Sequence, residues 1–398
     1  MMNPSRRRFL SALGVSAASL PLISLPGFVQ AATPNLPKGK TLILVELAGG
    51  NDGLNTVVPI ADPGYRGLRP TIGIERRDGL GLDGDTSLHP AMGEMAGLWE
   101  TGELRIIEGV GYPNPNRSHF RSIEIWNVGQ GADSRTRDGW VSMAFADGQA
   151  PAGADASGLV LGGAMGPLKG PGSFSAMRDE ETFLETLEFL PGARHAVRPA
   201  ASQSPLEHVM RTYDNAQITG DTIAQKLEAA ASFGLDFPDT ELGEQLRTAA
   251  RLLEAGVEVP VLKVVQGGYD THENQPGQHA YLLMELSEAI GAFARAMRQI
   301  GLWDQVTVLT YSEFGRTARE NGSYGTDHGT AAPVFAAGGQ VDGGFGGERV
   351  SLDRLEDGDL IHTTDYRRLY SGVLHDIWGI DAQPFSGAGA PLTVLKAG

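Results

Sequence analysis

Carboxylates, imidazoles and one hydroxyl follow the apolar segments of this sequence, in positions where they could bind a metal and attack an ester. In an open parallel sheet, residues that follow the strands meet along one edge. Several carboxylates at one edge repel one another unless they are protonated or bound to a cation. Imidazoles among them shift the expected cation from calcium or magnesium, which remain possible, toward zinc, manganese or iron. We predict one or two divalent ions on Asp52, Asp270, His272, Glu313, Asp327 and His328.

Ser118 is the hydroxyl of this set, and it lies where a helix is predicted to begin. Free backbone N–H groups and the helix dipole at such a position favour an anion such as phosphate or sulfate. A hydroxyl beside a divalent metal can lose its proton and become a nucleophile at neutral pH. We therefore predict Ser118 as the nucleophile, with Arg117 or Arg121 and the helix-start amides stabilising the developing charge.

Each of these residues also has a purely structural interpretation. Asp52, in Gly-Asn-Asp-Gly, could form a turn, and Ser118 could cap its helix. Glu313 could form an ion pair with Arg316. Asp327 could orient the neighbouring histidine without touching a metal. Two further histidines are weaker candidates for the site, His89 and His119.

Apolar runs that break into Gly-containing polar loops predict the strands that position these residues. Helical patterns at residues 90–100 and 279–300 alternate with the runs, which is typical of an α/β fold with a parallel sheet. Residues 321–335 are a Gly-rich segment that enters another strand. The four predicted strands before it are residues 41–47, 104–110, 259–265 and 306–310.

Two regions differ in composition from the rest of the predicted domain, residues 32–398. Residues 129–200 are rich in Gly, Ala, Asp and Pro, and we expect an irregular insertion with a few short strands. Residues 203–256 have apolar side chains at helical spacing, which predicts a helical segment.

The composition excludes several classes of protein and of site. The 398 residues include 32 Lys and Arg against 48 Asp and Glu, for a formal net charge of -16. This acidity argues against a nucleic-acid partner, because phosphate contacts require clustered cations. The chain has no Cys, so disulfides, iron–sulfur clusters and cysteine nucleophiles are impossible.

Residues 1–31 are predicted to be an export signal that is not part of the fold. Consecutive arginines precede Phe9 and an apolar stretch, which ends in small residues near Ala31. This order is typical of a signal peptide, and the arginines before Phe-Leu are typical of the twin-arginine type. We expect cleavage after Ala31 and a periplasmic or secreted protein with no transmembrane helix in residues 32–398. An uncleaved membrane anchor is the alternative, which two prolines in the stretch disfavour.

Five motifs, in order, carry a family resemblance. They are Leu47-Ala-Gly-Gly-Asn-Asp-Gly-Leu-Asn-Thr-Val-Val-Pro59, Asn116-Arg-Ser-His-Phe120, Gly268-Tyr-Asp-Thr-His272, Ser312-Glu-Phe-Gly-Arg-Thr317 and Gly325-Thr-Asp-His-Gly-Thr330. Together they resemble the motifs of the DUF1501 family of exported bacterial proteins, which is placed with the alkaline phosphatase and sulfatase superfamily. The resemblance implies an alkaline phosphatase-like, three-layer α/β/α sandwich around a mostly parallel central sheet.

The resemblance also implies roles for individual residues. By position, Asp52 resembles the first metal-binding Asp of the superfamily, Ser118 its nucleophile, and His328 its late metal-binding His. Asp270 and His272 resemble its spaced Asp and His, with a shorter gap than usual.

Phe314 is a departure from the superfamily pattern. Glu313-Phe314 falls where an Asp-His pair is expected, so one imidazole is missing. A rival alignment places Asp327-His328 on that pair and leaves His362 as the late histidine.

These observations predict an exported metal-dependent hydrolase that acts on a phosphate or sulfate ester, either a small molecule or a group on a polymer. A mutase-like or transferase activity on the same fold is a further possibility. The alternative from another class is a non-catalytic binding or assembly protein that retains the fold and one structural metal.

Overall fold

The computed structural model describes residues 39–145, 151, 153–177, 182, 219–230, 234, 236–381, 385 and 387–397. The predicted signal peptide, residues 1–31, lies outside these residues, as do most of 178–218 in the predicted insertion and helical segment. Within the described residues, no helix combines the length and the apolar character that crossing a membrane requires.

Strands and helices alternate along the described chain. The strands are β1 (Thr41–Leu47), β2 (Val57–Val58), β3 (Leu80–Gly81), β4 (Ser87–Leu88), β5 (Leu104–Gly111), β6 (Gly158–Val160), β7 (Phe174–Ala176), β8 (Val261–Gln266), β9 (Val306–Tyr311), β10 (Ala332–Ala337), β11 (Gly344–Gly347), β12 (Leu355–Glu356), β13 (Asp359–Leu360) and β14 (Thr364–Asp365). The helices are α1 (Gly53–Thr56), α2 (Pro63–Leu68), α3 (Gly93–Glu100), α4 (His119–Val128), α5 (Trp140–Ala144), α6 (Glu241–Glu254), α7 (Gln275–Gln299) and α8 (Tyr366–Trp378). Residues 219–229 are also helical.

The central sheet has the strand order β11-β5-β10-β9-β1-β8-β6-β7, with β14 beside β5. Its strands are parallel to one another except for β10, which is antiparallel to both β5 and β9. The carboxyl ends of β1, β5, β8 and β9 therefore lie at one edge, and β10 begins at that same edge. This arrangement confirms the predicted mostly parallel sheet and explains how residues before β10 can join residues that follow the other strands.

Alternation along the buried strands distributes their side chains between two cores, as the two-residue period of a strand requires. In β1, Ile43 and Val45 contribute to one core, which also contains residues of α3, α6 and α7. Leu42 and Leu44 contribute to the other, which contains residues of α4, α5 and α8. Helices thus cover both faces of the sheet, and the predicted three-layer sandwich is confirmed.

The described part of residues 129–200 extends the central sheet. Residues 158–160 form β6, which pairs in parallel with β8, and β7 pairs with β6 at the edge of the sheet. In the described part of residues 203–256, residues 219–229 and α6 are helical. Leu206, Val209 and Met210 of the predicted helical pattern lie outside the described residues.

Candidate metal centre

Three imidazoles and one carboxylate converge at the sheet edge described above. His119 is the first residue of α4, Asp270 and His272 follow β8, and His328 precedes β10. The Nε2 atoms of His119, His272 and His328 lie 3.4, 3.0 and 3.2 Å from Oδ1 of Asp270. The Nε2 of His328 also lies 2.9 Å from that of His119 and 3.0 Å from that of His272.

The other ring nitrogen of each histidine, Nδ1, lies within hydrogen-bond distance of an acceptor. Nδ1 of His119 lies 2.7 Å from Oε1 of Glu313, and Nδ1 of His272 lies 3.0 Å from Oδ1 of Asp327. Nδ1 of His328 lies 2.8 Å from the carbonyl oxygen of Arg117. Carboxylate and carbonyl oxygens only accept hydrogen bonds, so each Nδ1 donates and each Nε2 is the ring nitrogen left to face the cluster. This carboxylate–histidine or carbonyl–histidine arrangement is how proteins orient metal-binding imidazoles.

The donor set fits a divalent metal ion of the zinc type. Three Nε2 atoms and a carboxylate oxygen face one another, and a divalent cation among them would accept a lone pair from each. Zinc sites use nitrogen and oxygen ligands at about 2.0–2.1 Å in a tetrahedron, which places neighbouring ligand atoms about 3.3 Å apart. The contacts that Asp270 and His328 make with each other and with His119 and His272 are 2.9 to 3.4 Å, close to that separation. The ligand atoms of His119, Asp270 and His328 all lie within 4.8 Å of one another.

Arg316 holds Asp270 in this cluster. Its buried guanidinium donates to Oδ1 of Asp270 at 2.6 Å and to the carbonyls of Gly50 and Thr326 at 2.7 and 3.1 Å. Burial raises the pKa of Asp270, but the hydrogen bond and charge of Arg316 outweigh it and lower the pKa to about 2. Asp270 is therefore ionised at neutral pH. The alternative pairing of Arg316 with Glu313 is not the one that the structure adopts.

The predicted metal ligands fall into three groups in the structure. Asp270, His272 and His328 lie together at the centre of the cluster. Glu313 and Asp327 lie one hydrogen bond outward, where they orient histidines. Asp52 lies outside the cluster, and its hydrogen bonds are with Arg69 and Gln275.

Asp52 is fully buried in a separate polar group. Its carboxylate pairs with Arg69 and accepts a hydrogen bond from Gln275. Arg69 also donates to the carbonyls of Ala318 and Thr317, at 3.0 and 2.9 Å. Burial raises the pKa of Asp52, but the charge and hydrogen bond of Arg69 hold it below its ordinary value. The negative charge of Asp52 is therefore balanced by a guanidinium.

Ser118 lies beside the cluster at the start of α4. It is exposed, and its hydroxyl does not cap the helix. Arg117, the preceding residue, forms an ion pair with Asp359. The guanidinium of Arg121 donates hydrogen bonds to the carboxylate of Glu124 at 2.7 Å and to the carbonyl of Ala132 at 2.6 Å. Of the two predicted charge-stabilising arginines, Arg117 is the one that contacts the cluster, through its carbonyl oxygen and Nδ1 of His328.

The family model for "protein of unknown function (DUF1501)" matches residues 39–383, most of the chain. The chain belongs to the DUF1501 family. This confirms the family resemblance of the five motifs. No curated protein matches the chain of this DUF1501 protein in sequence.

Several solved structures are similar to this DUF1501 protein at low identity. Ps i-CgsB in complex with k-i-k-neocarrahexaose is 10% identical with a TM-score of 0.43, over 89% of this chain and 75% of that one. A protein in the alkaline phosphatase superfamily from Vibrio parahaemolyticus is 12% identical with a TM-score of 0.41, over 92% and 74%. The C-terminal periplasmic domain of EcEptC from Escherichia coli, in complex with Zn, is 11% identical with a TM-score of 0.37, over 79% and 77%.

His119 belongs to the cluster, although the sequence pattern indicated it only as a weaker candidate for the site. It is adjacent to Ser118, and a side chain at the first helical position after β5 faces the same edge as the loops after β8. Phe314, where the superfamily has an imidazole, is buried with its ring centroid 4.8 Å from the rings of both His119 and His328. The phenyl ring packs against the histidines, and His119 supplies an imidazole from another element.

Glu313→Gln is expected to weaken zinc binding about tenfold, because glutamine retains an acceptor for Nδ1 of His119 but removes the negative charge. Glu313 is 4% exposed and also accepts from the backbone N–H of Gly49 at 2.9 Å. Competition with a chromophoric chelator would measure the affinity. Glu75→Gln, at an exposed glutamate, is the matched control. An unchanged affinity in Glu313→Gln would show that this carboxylate does not support the centre.

Two buried histidines lie behind the loop that follows β1. Nε2 of His279 lies 2.9 Å from Oδ1 of Asn51, and Nδ1 of His89 accepts from the backbone N–H of Ala91 at 3.1 Å. Burial lowers the pKa of both imidazoles to about 4, although the charge of Asp52 opposes this. Both are therefore neutral in the folded protein at neutral pH.

These histidines predict acid sensitivity of the fold. Between about pH 6.5 and pH 4 the unfolded chain binds protons that the folded chain does not, so stability is complete above this range and decreases as the pH falls through it. In metal-free protein, His279→Gln is expected to remove about 2–3 kcal/mol of the loss between pH 7 and pH 4.5. Urea unfolding at both pH values would measure this, with exposed His375→Gln as the control. Equal losses in wild type and His279→Gln would contradict the prediction.

Proposed function

We propose that this DUF1501 protein is a metal-dependent hydrolase of phosphate or sulfate esters with Ser118 as its nucleophile. The observation that carries the proposal is the convergence of three oriented Nε2 atoms and a carboxylate oxygen directly beside an uncapped helix start. The first supports a divalent ion, and the second supports an anionic group.

His119, Asp270, His272 and His328 are the residues that would hold the ion, and we propose one ion per chain. The remaining predicted ligands give less support to a second ion, because Arg69 balances the charge of Asp52 and the carboxylates of Glu313 and Asp327 contact histidines. Three nitrogen ligands and one oxygen ligand favour zinc, with manganese or iron less suited. Bound there, the ion would supply a Lewis acid for the ester oxygen and lower the pKa of a nearby hydroxyl.

Ser118 is exposed and its hydroxyl does not cap the helix, as a nucleophile requires. Its Oγ would form a bond to phosphorus or sulfur while the bond to the ester oxygen breaks. The alcohol leaves with a proton, and water then cleaves the serine ester, releasing phosphate or sulfate and restoring the hydroxyl. The amides of the first turn of α4 and the guanidinium of Arg117 would stabilise the charge on the non-bridging oxygens.

The predicted localisation and substrate source belong to the same proposal. We propose export by the twin-arginine route to the periplasm or the medium, where esters on small molecules or polymers would be the substrates. The arginine run before Phe9 supports the route.

A second function is favoured by one observation. Structural zinc sites use four protein ligands, the number of side chains that converge here, whereas catalytic sites use three and keep one position open. If the ion keeps all four ligands, the protein is a non-catalytic binding or assembly protein with a structural metal. Hydrolysis would require a position on the ion for the ester oxygen, which catalytic zinc sites provide beside three protein ligands.

Turnover of an ester panel by the zinc-loaded protein separates these functions. We expect phosphate or sulfate release by the wild type, and a loss of roughly a thousandfold or more in Ser118→Ala with the zinc content unchanged. Ser134→Ala, at a serine whose hydroxyl accepts from the backbone N–H of Thr136 and not from the cluster, is the control. Stoichiometric zinc without turnover of any ester would favour the structural role, and full activity in Ser118→Ala would exclude Ser118 as the nucleophile.

A further inference from the structure

A buried carboxylate lies behind Arg117. Asp359 belongs to β13 and is 1% exposed, whereas the guanidinium of Arg117 is 44% exposed. The ion pair with Arg117 is the one polar contact of the Asp359 carboxylate within the described residues. Burial raises the pKa of Asp359 to about 6, although the charge of Arg117 opposes the rise and that of Asp357 adds to it.

β12 and β13 pair as a hairpin, and two of its residues, Asp359 and Leu360, contact residues next to the metal centre. Arg117 accepts the Nδ1–H of His328 through its carbonyl and pairs with Asp359 through its side chain. The hydroxyl of Thr330 donates to the carbonyl of Leu360, the residue after Asp359. The pair therefore fixes the residue that precedes Ser118.

The guanidinium of Arg117 retains donors for a ligand. It has five N–H groups, and its contact with Asp359 involves Nη2. Within the described residues, no other acceptor bonds to its side chain. Arginine recognises tetrahedral oxyanions through such paired donors, and a tethered guanidinium loses less conformational freedom when it binds one.

We propose that Asp359 is a positioning residue that holds Arg117 as the recognition element for the phosphate or sulfate group. This inference rests on the proposed function and extends it to the choice of substrate: an ester whose anionic group has free oxygens in reach of Arg117. Asp359 acts on the substrate through Arg117 and does not itself reach it, because its carboxylate is buried.

Binding of inorganic sulfate to the zinc-loaded protein, measured by calorimetry, tests the inference. Sulfate stays fully ionised near neutral pH, so its own protonation does not complicate the result. We expect binding to weaken about tenfold in Asp359→Asn and by at least as much in Arg117→Ala, with the zinc content unchanged. The double variant should bind no more weakly than Arg117→Ala, because Asp359 acts through that side chain. Where an ester is turned over, its KM should rise more than its kcat falls.

Asp342→Asn is the matched control, because it removes the carboxylate of another arginine ion pair, with Arg105 at 3.0 Å in the first half of β5. Arg117→Lys keeps a positive charge beside the buried Asp359 carboxylate but lacks the paired donors, so it should also bind sulfate more weakly and keeps the inference testable if Asp359→Asn or Arg117→Ala does not fold. Wild-type affinity in Asp359→Asn, additive losses in the double variant, or no sulfate binding by the wild type would each overturn the inference. Sulfate binding with these variant effects but no ester turnover would support the inference while refuting the hydrolase.

Discussion

Zinc affinity is expected to fall by roughly a hundredfold or more when His328 is replaced by alanine. Structural zinc sites contribute about 10–16 kcal/mol through four ligands, so one ligand accounts for about 3 kcal/mol. His328 is central to the cluster, because its Nε2 lies within 3.2 Å of Asp270, His119 and His272. Equilibrium dialysis of the purified protein, with elemental analysis, would measure the affinity and the stoichiometry.

Two further variants make this measurement specific. His375→Ala changes an exposed histidine and should retain wild-type zinc affinity. Asp52→Asn should also retain it, because the Asp52 carboxylate is paired with Arg69. Zinc retained in His328→Ala would contradict the proposed ligand set. Zinc lost in Asp52→Asn would return Asp52 to the set and point to a second ion.

Arg69→Met is expected to destabilise the fold by about 3–5 kcal/mol, since it leaves the buried charge of Asp52 without its partner. Both side chains of this pair are almost completely inaccessible to solvent, with exposures of 0% and 1%. The same change also removes hydrogen bonds to the carbonyls of Thr317 and Ala318. Urea unfolding of the metal-free variant would measure the change in the free energy of unfolding.

A nearby surface pair provides the comparison. Arg66 and Glu75 are 44% and 55% exposed, and Arg66→Met should cost no more than about 1 kcal/mol. Combining Arg69→Met with Asp52→Leu should recover part of the lost stability, because no buried charge then remains unpaired. A loss in Arg69→Met as small as that in Arg66→Met would show that the buried pair does not stabilise the fold.

Features that depend on the local sequence were predictable. Residues 41–47 are a near-continuous apolar run, and the structure has β1 at these residues. The runs at 104–110 and 306–310 likewise became β5 and β9, each extended by one residue. Because parallel strands end at one edge, the polar residues after them had to lie near one another. This is why Asp270, His272 and His328 were predicted to share a site, and the structure brings them together.

Features that depend on partners distant in sequence were not predictable. Nothing near Arg69 in the sequence indicates that its side chain reaches Asp52 and the carbonyls that follow Arg316. A carboxylate after a strand can bind a metal or accept a hydrogen bond from an imidazole. Glu313 contacts His119, because the distance between these two side chains is set by the packing of segments that are far apart in the sequence. The antiparallel direction of β10, which brings His328 to the edge, is another property of the whole sheet.

The ligands of the proposed metal centre are far apart along the chain. His119 and His328 are separated by 209 residues, and Asp270 and His328 by 58. An ion bound to all of them would be a cross-link that closes very long loops, so its binding free energy would add to the free energy of folding. Molecules that bind the ion would then be those in which the segments that carry the ligands, from α4 to the residues before β10, have folded together. Resistance to proteolysis should follow metal content from molecule to molecule, and the metal-free fraction should be degraded first.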